Sequence, residues 1–362
     1  MMNYKETILF IAKCLTISLE ENNKKIIEEQ IKSTNIDWDS VVRLSTEHYV
    51  FPALYCNLKR AKLLSYLPEE LVNYMIHITD LNRERNFQII EQATKINRLL
   101  LAHNITPIFL KGTAFLLENL YQDIAERMVG DIDFLVSKKD YKKVIHVLKN
   151  DEYYLLFPDS EDPKHSKHYP RMVKNGCINA IEIHREMTTK KHCTLFNYEF
   201  VKPSLITKKN ISYLSYKHQI IHTIINKQLN DFGYLYKNIA LRNYYDVFLL
   251  SYKANTLQSI LTFPSISKQL NSFLSNASYI FNTPSKILFD KNNHTIKHTS
   301  SAINFLNTTW FTKLRKSFIH FKINTKVRII ILAKAVYQRE YFWFVLDRIT
   351  DINWYKRRFM KN

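Results

Sequence analysis

From Tyr4 to about Asn97 apolar residues recur every three or four positions, in ETILFIAKCL, IIEEQIKS, SVVRLSTEHYVFPALYCNLKRAKLL and EELVNYMIHITDLNRERNFQIIEQATKINRLLLAH, a spacing that predicts amphipathic helices. The same period returns from about Ile211, in HQIIHTIINKQL, NYYDVFLLSYKA and KVRIIILAKAVYQREYFWFVLDRI. Between these regions the pattern changes. TPIFLKG (106–112) is a short apolar run ended by Gly112, and helical spacing follows from Thr113 to Asp123. DIDFLV (131–136) alternates as a strand does, and Ser137 with Asp140 makes a capping-box pattern ahead of the helix DYKKVIHVLKN. YYLLF (153–157) reads as a third strand, and Asn175-Gly176 supplies the positive φ values of a two-residue hairpin turn between Arg171–Lys174 and Cys177–His184. The prediction is an α+β protein with a mixed sheet: an α/β core at 98–208, an N-terminal helical region at 1–97, and a C-terminal basic helical region at 209–362 with a candidate break near 291–301.

Composition narrows the class. Hydrophobic residues make up 46% and aromatics 13% of the 362 residues, which excludes a disordered chain. Cys14, Cys56, Cys177 and Cys193 lie far apart with no C-x-x-C pair, so neither a disulfide scaffold nor a structural zinc site is expected and a reducing cytoplasm fits. Lys5, Glu6 and Lys13 interrupt the first apolar stretch, and Lys334, Arg339 and Glu340 interrupt the most apolar windows near the C-terminus. No signal peptide or transmembrane segment is therefore expected. Glycine is scarce: four residues, Gly112, Gly130, Gly176 and Gly233, where about 25 would be usual.

In DIDFLV the alternation sends Asp131 and Asp133 to one face and Ile132 and Phe134 to the other. Two such carboxylates repel unless a cation sits between them, and oxygen ligands of this kind suit Mg²⁺ bridging to substrate phosphates; an exposed edge strand is the plainer reading of an isolated D-x-D. In INAIEIH, Glu182 and His184 share a face, and a third carboxylate from a neighbouring strand completes what two-metal phosphoryl transfer needs. Gly112 closes the first strand at the mouth of a helix, where unpaired N–H groups favour a phosphate, and Gly130 lets the chain turn into the first Asp. Lys111 alternates onto the face of Phe109 and reaches either a phosphate or solvent; Arg127 has the same two readings, or pairs with one of the acids.

LKGTAFLLENLY followed by ERMVGDIDFLV, the IEIH strand and LRNYYDVFLL resembles the uncharacterised bacterial nucleotidyltransferase family of the DNA polymerase β superfold. The resemblance runs from about Asn97 to Ser251. It implies that Gly112 and Thr113 bind nucleotide phosphates, and that Asp131, Asp133 and Glu182 are the catalytic metal ligands. Lys111, Arg127, Gly130 and His184 would line the nucleotide site. Two features depart from the superfamily pattern: seventeen residues (114–130) separate Thr113 from Asp131, and the third acid is Glu rather than Asp. The implied reaction moves a nucleoside monophosphate from an NTP to an acceptor hydroxyl or phosphate with Mg²⁺, or Mn²⁺ in its place, and releases pyrophosphate. The acceptor is RNA, a peptide, a protein or a sugar. Two alternatives stand beside it: a degenerate member that binds RNA or a protein partner, and a transferase using a nucleotide-activated sugar.

Other histidines and the charge complete the inventory. His218 and His222 have the i, i+4 spacing of paired metal ligands, but no Glu follows His218 as in a zinc protease; His165 and His168 fall in a polar loop. The net charge is +19, from 52 Lys+Arg and 33 Asp+Glu. Residues 301–362 hold 13 Lys+Arg and 3 acids, interleaved with Phe, Tyr and Trp, so this region is a candidate nucleic-acid contact, an anionic membrane contact, an acidic-partner surface, or a solvated basic face with no partner.

Overall fold

In the computed structural model, DIDFLV forms the central strand that its alternation predicts. The structure describes residues 2–351 except 34, 159, 161, 163–165, 189–191, 193 and 308, so His165, Cys193 and the end of the basic region lie outside the described residues. Strands β1 (Ile108–Phe109), β2 (Ile132–Leu135), β3 (Tyr154–Leu155), β4 (Met172–Val173), β5 (Ile181–His184), β6 (Ile206–Lys208) and β7 (Ile211–Tyr213) form one sheet in the order β3-β4-β5-β2-β1-β7-β6. β2 runs parallel to β5 and antiparallel to β1, and β1 runs parallel to β7. With its many helices this is the expected α+β fold with a mixed sheet.

Ile132, Phe134, Ile181 and Ile183 bury one sheet face against the helices Glu69–Ala102 and Tyr141–Asn150, together with Ile89, Ile96, Val144 and Leu148. Each such side chain stabilises by about 1.5–3 kcal/mol when fully buried. A one-residue slip of β2 would exchange that apolar set for aspartates, so the pattern fixes the register. Ser137 and Asp140 bond to each other just ahead of the helix Tyr141–Asn150.

The N-terminal helices and those between β7 and Asn304 share a single core, in which Phe10 and Leu54 lie in one cluster with Tyr244, Phe248, Phe273 and Phe281. Asn23 Nδ2 donates to the Phe281 carbonyl and links the two regions. The chain forms two compact units, Met1–Asn307 and Thr308–Asn362.

Two local features differ from the sequence expectation. The stretch around Ile211 is not the start of a helix; it pairs with β6 in a hairpin turned by Lys209 and Asn210, both at positive φ (49° and 61°). A turn does form at Asn175-Gly176, with the Cys177 N–H bonded to the Lys174 carbonyl, but only Gly176 has positive φ (+76°) and Asn175 does not, so it is not the hairpin turn that the pair predicts. A two-residue loop would set Met172 opposite Asn179, yet Met172 pairs with Ile181. Asn179 is drawn off the ladder: its N–H donates to Gln92 Oε1 and its side-chain amide to the Gly130 carbonyl.

Candidate active site

The parallel β2–β5 register sets Asp133 beside Glu182 and Leu135 beside His184. This places the polar side chains on the sheet face opposite the Ile132–Phe134 core. His184 Nε2 lies 2.8 Å from Asp133 Oδ1 and 3.5 Å from Glu182 Oε2. Lys111 Nζ donates to Asp133 Oδ1 at 2.5 Å and lies 3.9 Å from Glu182 Oε2. Arg171 bridges the outer side, with Nη2 2.9 Å from Asp131 Oδ2 and Nε 2.9 Å from Glu182 Oε1. Lys111 and Arg171 thus set positive charge beside all three carboxylates.

Lys111 reaches this cluster because its backbone is left-handed, at φ +52°. Strict alternation would have left it on the face of Phe109. A non-glycine residue in that region costs of order 1 kcal/mol or more, which the buried ion pair with Asp133 offsets.

Burial raises the Asp133 carboxyl, but the Lys111 ammonium and the bond from His184 overcome it and hold the acid well below the usual carboxylate range. Glu182 is lowered on balance: burial raises it, and His184 and Lys111 outweigh that. Asp131 is raised, by burial and then by the neighbouring Glu182, against the pull of Arg171. Lys111 is raised despite its burial, through Asp133 and Glu182. His222, buried near Lys111, is pushed well below its ordinary value, chiefly by burial and then by the Lys111 ammonium, so it stands neutral.

Asp133, Glu182 and His184 each offer a ligand atom, and these atoms lie within 4.8 Å of one another. Two carboxylate oxygens and an imidazole nitrogen are a donor set that could hold a divalent cation. His184 Nδ1 is buried with no hydrogen-bond partner, which leaves the Nε2 side as the one committed to the cluster. Asp131, half-buried, stands outside that group and pairs with Arg171.

The remaining sequence candidates occupy structural positions. Gly112 is buried where a Cβ would sit 2.8 Å from Val129 Cγ2, so it permits close approach of the helix Lys111–Leu117 to the segment before β2. Thr113 is fully buried and its hydroxyl donates to the Asp131 carbonyl. Gly130 has open space around its Cβ position and no left-handed φ, so neither sterics nor backbone demands glycine there. Arg127 is buried and pairs with none of Asp131, Asp133 and Glu182; Nε and Nη2 grip Asp246 at 2.8 and 2.9 Å, and Tyr121 donates to the same carboxylate. His218 bonds to Ser204, and among the described residues His218 and His222 join no third metal-ligating side chain. His168 packs 5.2 Å from the His184 ring with its Nδ1 on the Tyr169 carbonyl.

Sequence reasoning missed Arg171 and the clamp around 123–130. Asn82 and Asn86 donate to the Ala125, Ile124 and Arg127 carbonyls, Arg85 donates to the Val129 carbonyl, and Glu126 accepts from Arg60 and Tyr245. The signal that was available is the row Asn82, Asn86 and Ile89 at helical spacing: buried amides inside an otherwise apolar stripe. The description "uncharacterised nucleotidyltransferase" belongs to a family model that matches residues 34–281. No curated protein and no solved structure matches the chain.

Proposed function

The chain belongs to this uncharacterised nucleotidyltransferase family, and from that premise we propose that it moves a nucleoside monophosphate from an NTP to an acceptor hydroxyl or phosphate, with Mg²⁺ or Mn²⁺ as cofactor. The observation that supports this best is the buried convergence of Asp133, Glu182 and His184 across paired parallel strands. These residues, with Asp131 beside them, would hold the cation, which supplies neutralisation of the phosphate charge.

The chain's own groups account for the rest. Arg171, half-exposed at the rim, exchanges its carboxylate partners for phosphate oxygens when the nucleotide arrives. Lys111 keeps Asp133 ionised and adds a positive charge at the same face. An acceptor oxygen forms a bond to the α-phosphorus as the bond to the bridging oxygen breaks and pyrophosphate leaves; where the acceptor is a hydroxyl, its proton passes to a carboxylate of the cluster. Positioning and charge complementarity supply the rate gain.

A second reading has one observation in its favour. Lys111 and Arg171 already pair with all three acids, as a degenerate site used only for binding RNA or a protein would allow. Purified protein incubated with each α-labelled NTP, Mg²⁺ or Mn²⁺, and pools of RNA, peptide, protein and sugar separates the two. Labelled product with released pyrophosphate, lost on chelation, is the expected result; nucleotide binding with no transfer to any pool supports the degenerate site.

A further inference from the structure

The unit Thr308–Asn362 contains the helices Thr309–Tyr337 and Arg339–Thr350, which pack on one another, with Lys334 placed 5.0 Å over the Tyr341 ring. Most of their apolar side chains are nevertheless exposed: Val336 is 87% exposed and Trp310 70%, and Ile329, Leu332 and Ile349 each lie above half. From 309 to 351 there are nine Lys+Arg and three acids. A surface at once so apolar and so basic marks an interaction site. Neither property alone identifies what it meets.

We propose that this helix pair docks on an anionic bilayer surface, its aliphatic and aromatic side chains entering the boundary between headgroups and acyl chains and its cations meeting lipid phosphates. The charge requires an anionic partner and opposes self-association of two such surfaces. The apolar chemistry then chooses among anions. Nucleic acid engages cations and aromatic faces, but Leu314, Val327, Ile329, Ile330, Leu332 and Val336 are aliphatic. They gain nothing by stacking on bases and gain by entering hydrocarbon. Lysine and arginine stems lie along an apolar layer while their charged ends reach the phosphates. No described helix is long and apolar enough to cross a membrane, so the contact lies in the plane of the surface.

Full-length protein is sedimented with vesicles of phosphatidylcholine containing 30% phosphatidylglycerol, with pure phosphatidylcholine vesicles, and separately with single-stranded RNA. Binding to the anionic vesicles is expected to exceed that to neutral ones by at least about tenfold at low salt and to weaken at high salt. Ile329→Asn combined with Leu332→Asn should reduce vesicle binding by about tenfold or more, because a polar amide cannot enter the acyl boundary. Should circular dichroism show that this pair loses helix, Val336→Asn serves instead, at a site open to water. Arg171→Gln, a change at the half-exposed rim of the candidate site, should bind vesicles as wild type does, which keeps this result separate from the proposed activity. Failure to bind anionic vesicles, or vesicle binding indifferent to the aliphatic substitutions, overturns the proposal. RNA binding that outcompetes the vesicles and ignores those substitutions overturns it too, and assigns the surface to nucleic acid.

Discussion

Asp133→Asn is expected to abolish NTP turnover and to destabilise the fold by about 3–5 kcal/mol at neutral pH, the usual cost of removing one partner from a buried ion pair. Asp133 is buried and accepts from both Lys111 and His184, so its loss leaves the half-buried Lys111 ammonium without its nearest partner. The stability term carries a pH signature. The Asp133 carboxyl is held well below its ordinary range in the folded chain, so its contribution is fully present above the unfolded value near about 4 and is lost as pH falls through the folded value. Urea melts of wild type and variant should therefore differ widely at pH 7 and converge as the solution is acidified below about pH 4. A variant that keeps turnover, or one more stable than wild type at pH 7, contradicts the arrangement described for this cluster.

The second large effect concerns the grip of Arg127 on Asp246. Arg127→Ala and Asp246→Ala should each cost about 3–5 kcal/mol, since each leaves an uncompensated buried charge. The double variant Arg127→Met with Asp246→Leu should recover much of that loss, because it buries apolar groups of similar size in place of two ions. Tyr121 then loses an acceptor, which leaves a residual cost of about 1–3 kcal/mol. Denaturant titrations of the three variants complete the cycle. Additive losses, or an Arg127→Ala variant of wild-type stability with weakened NTP binding, would return Arg127 to the nucleotide-binding role that the sequence resemblance implies.

The parts of the site that were legible in the sequence are those set by local period. Alternation alone separates Asp131 and Asp133 from Ile132 and Phe134, and puts Glu182 and His184 on one face; the parallel pairing of two such strands completes the cluster. Lys111 escaped the same logic because alternation assumes extended backbone, and φ +52° at that residue turns its side chain to the opposite face. Arg171 escaped because its place follows from a hairpin shifted two residues from the Asn-Gly register, and that shift is imposed by Asn179 bonding to Gln92, 87 positions away. The tie between Arg127 and Asp246 spans 119 residues, and a lone Arg and a lone Asp carry no local signal of each other. Gly112 was legible as a special position, but the reason the structure gives is its close contact with Val129.

The central claim is that the carboxylates of β2 and β5 hold a divalent cation together with a nucleotide. Electron paramagnetic resonance titration of Mn²⁺ into the full chain, with and without an α,β-methylene NTP analogue that cannot release pyrophosphate, tests it without knowledge of the acceptor. The account predicts Mn²⁺ binding that tightens with the analogue and falls at least about tenfold in Asp133→Asn and in Glu182→Gln, each of which removes a charged oxygen ligand. Mn²⁺ titrations of the wild type that match those of both variants, with the analogue present, would contradict it.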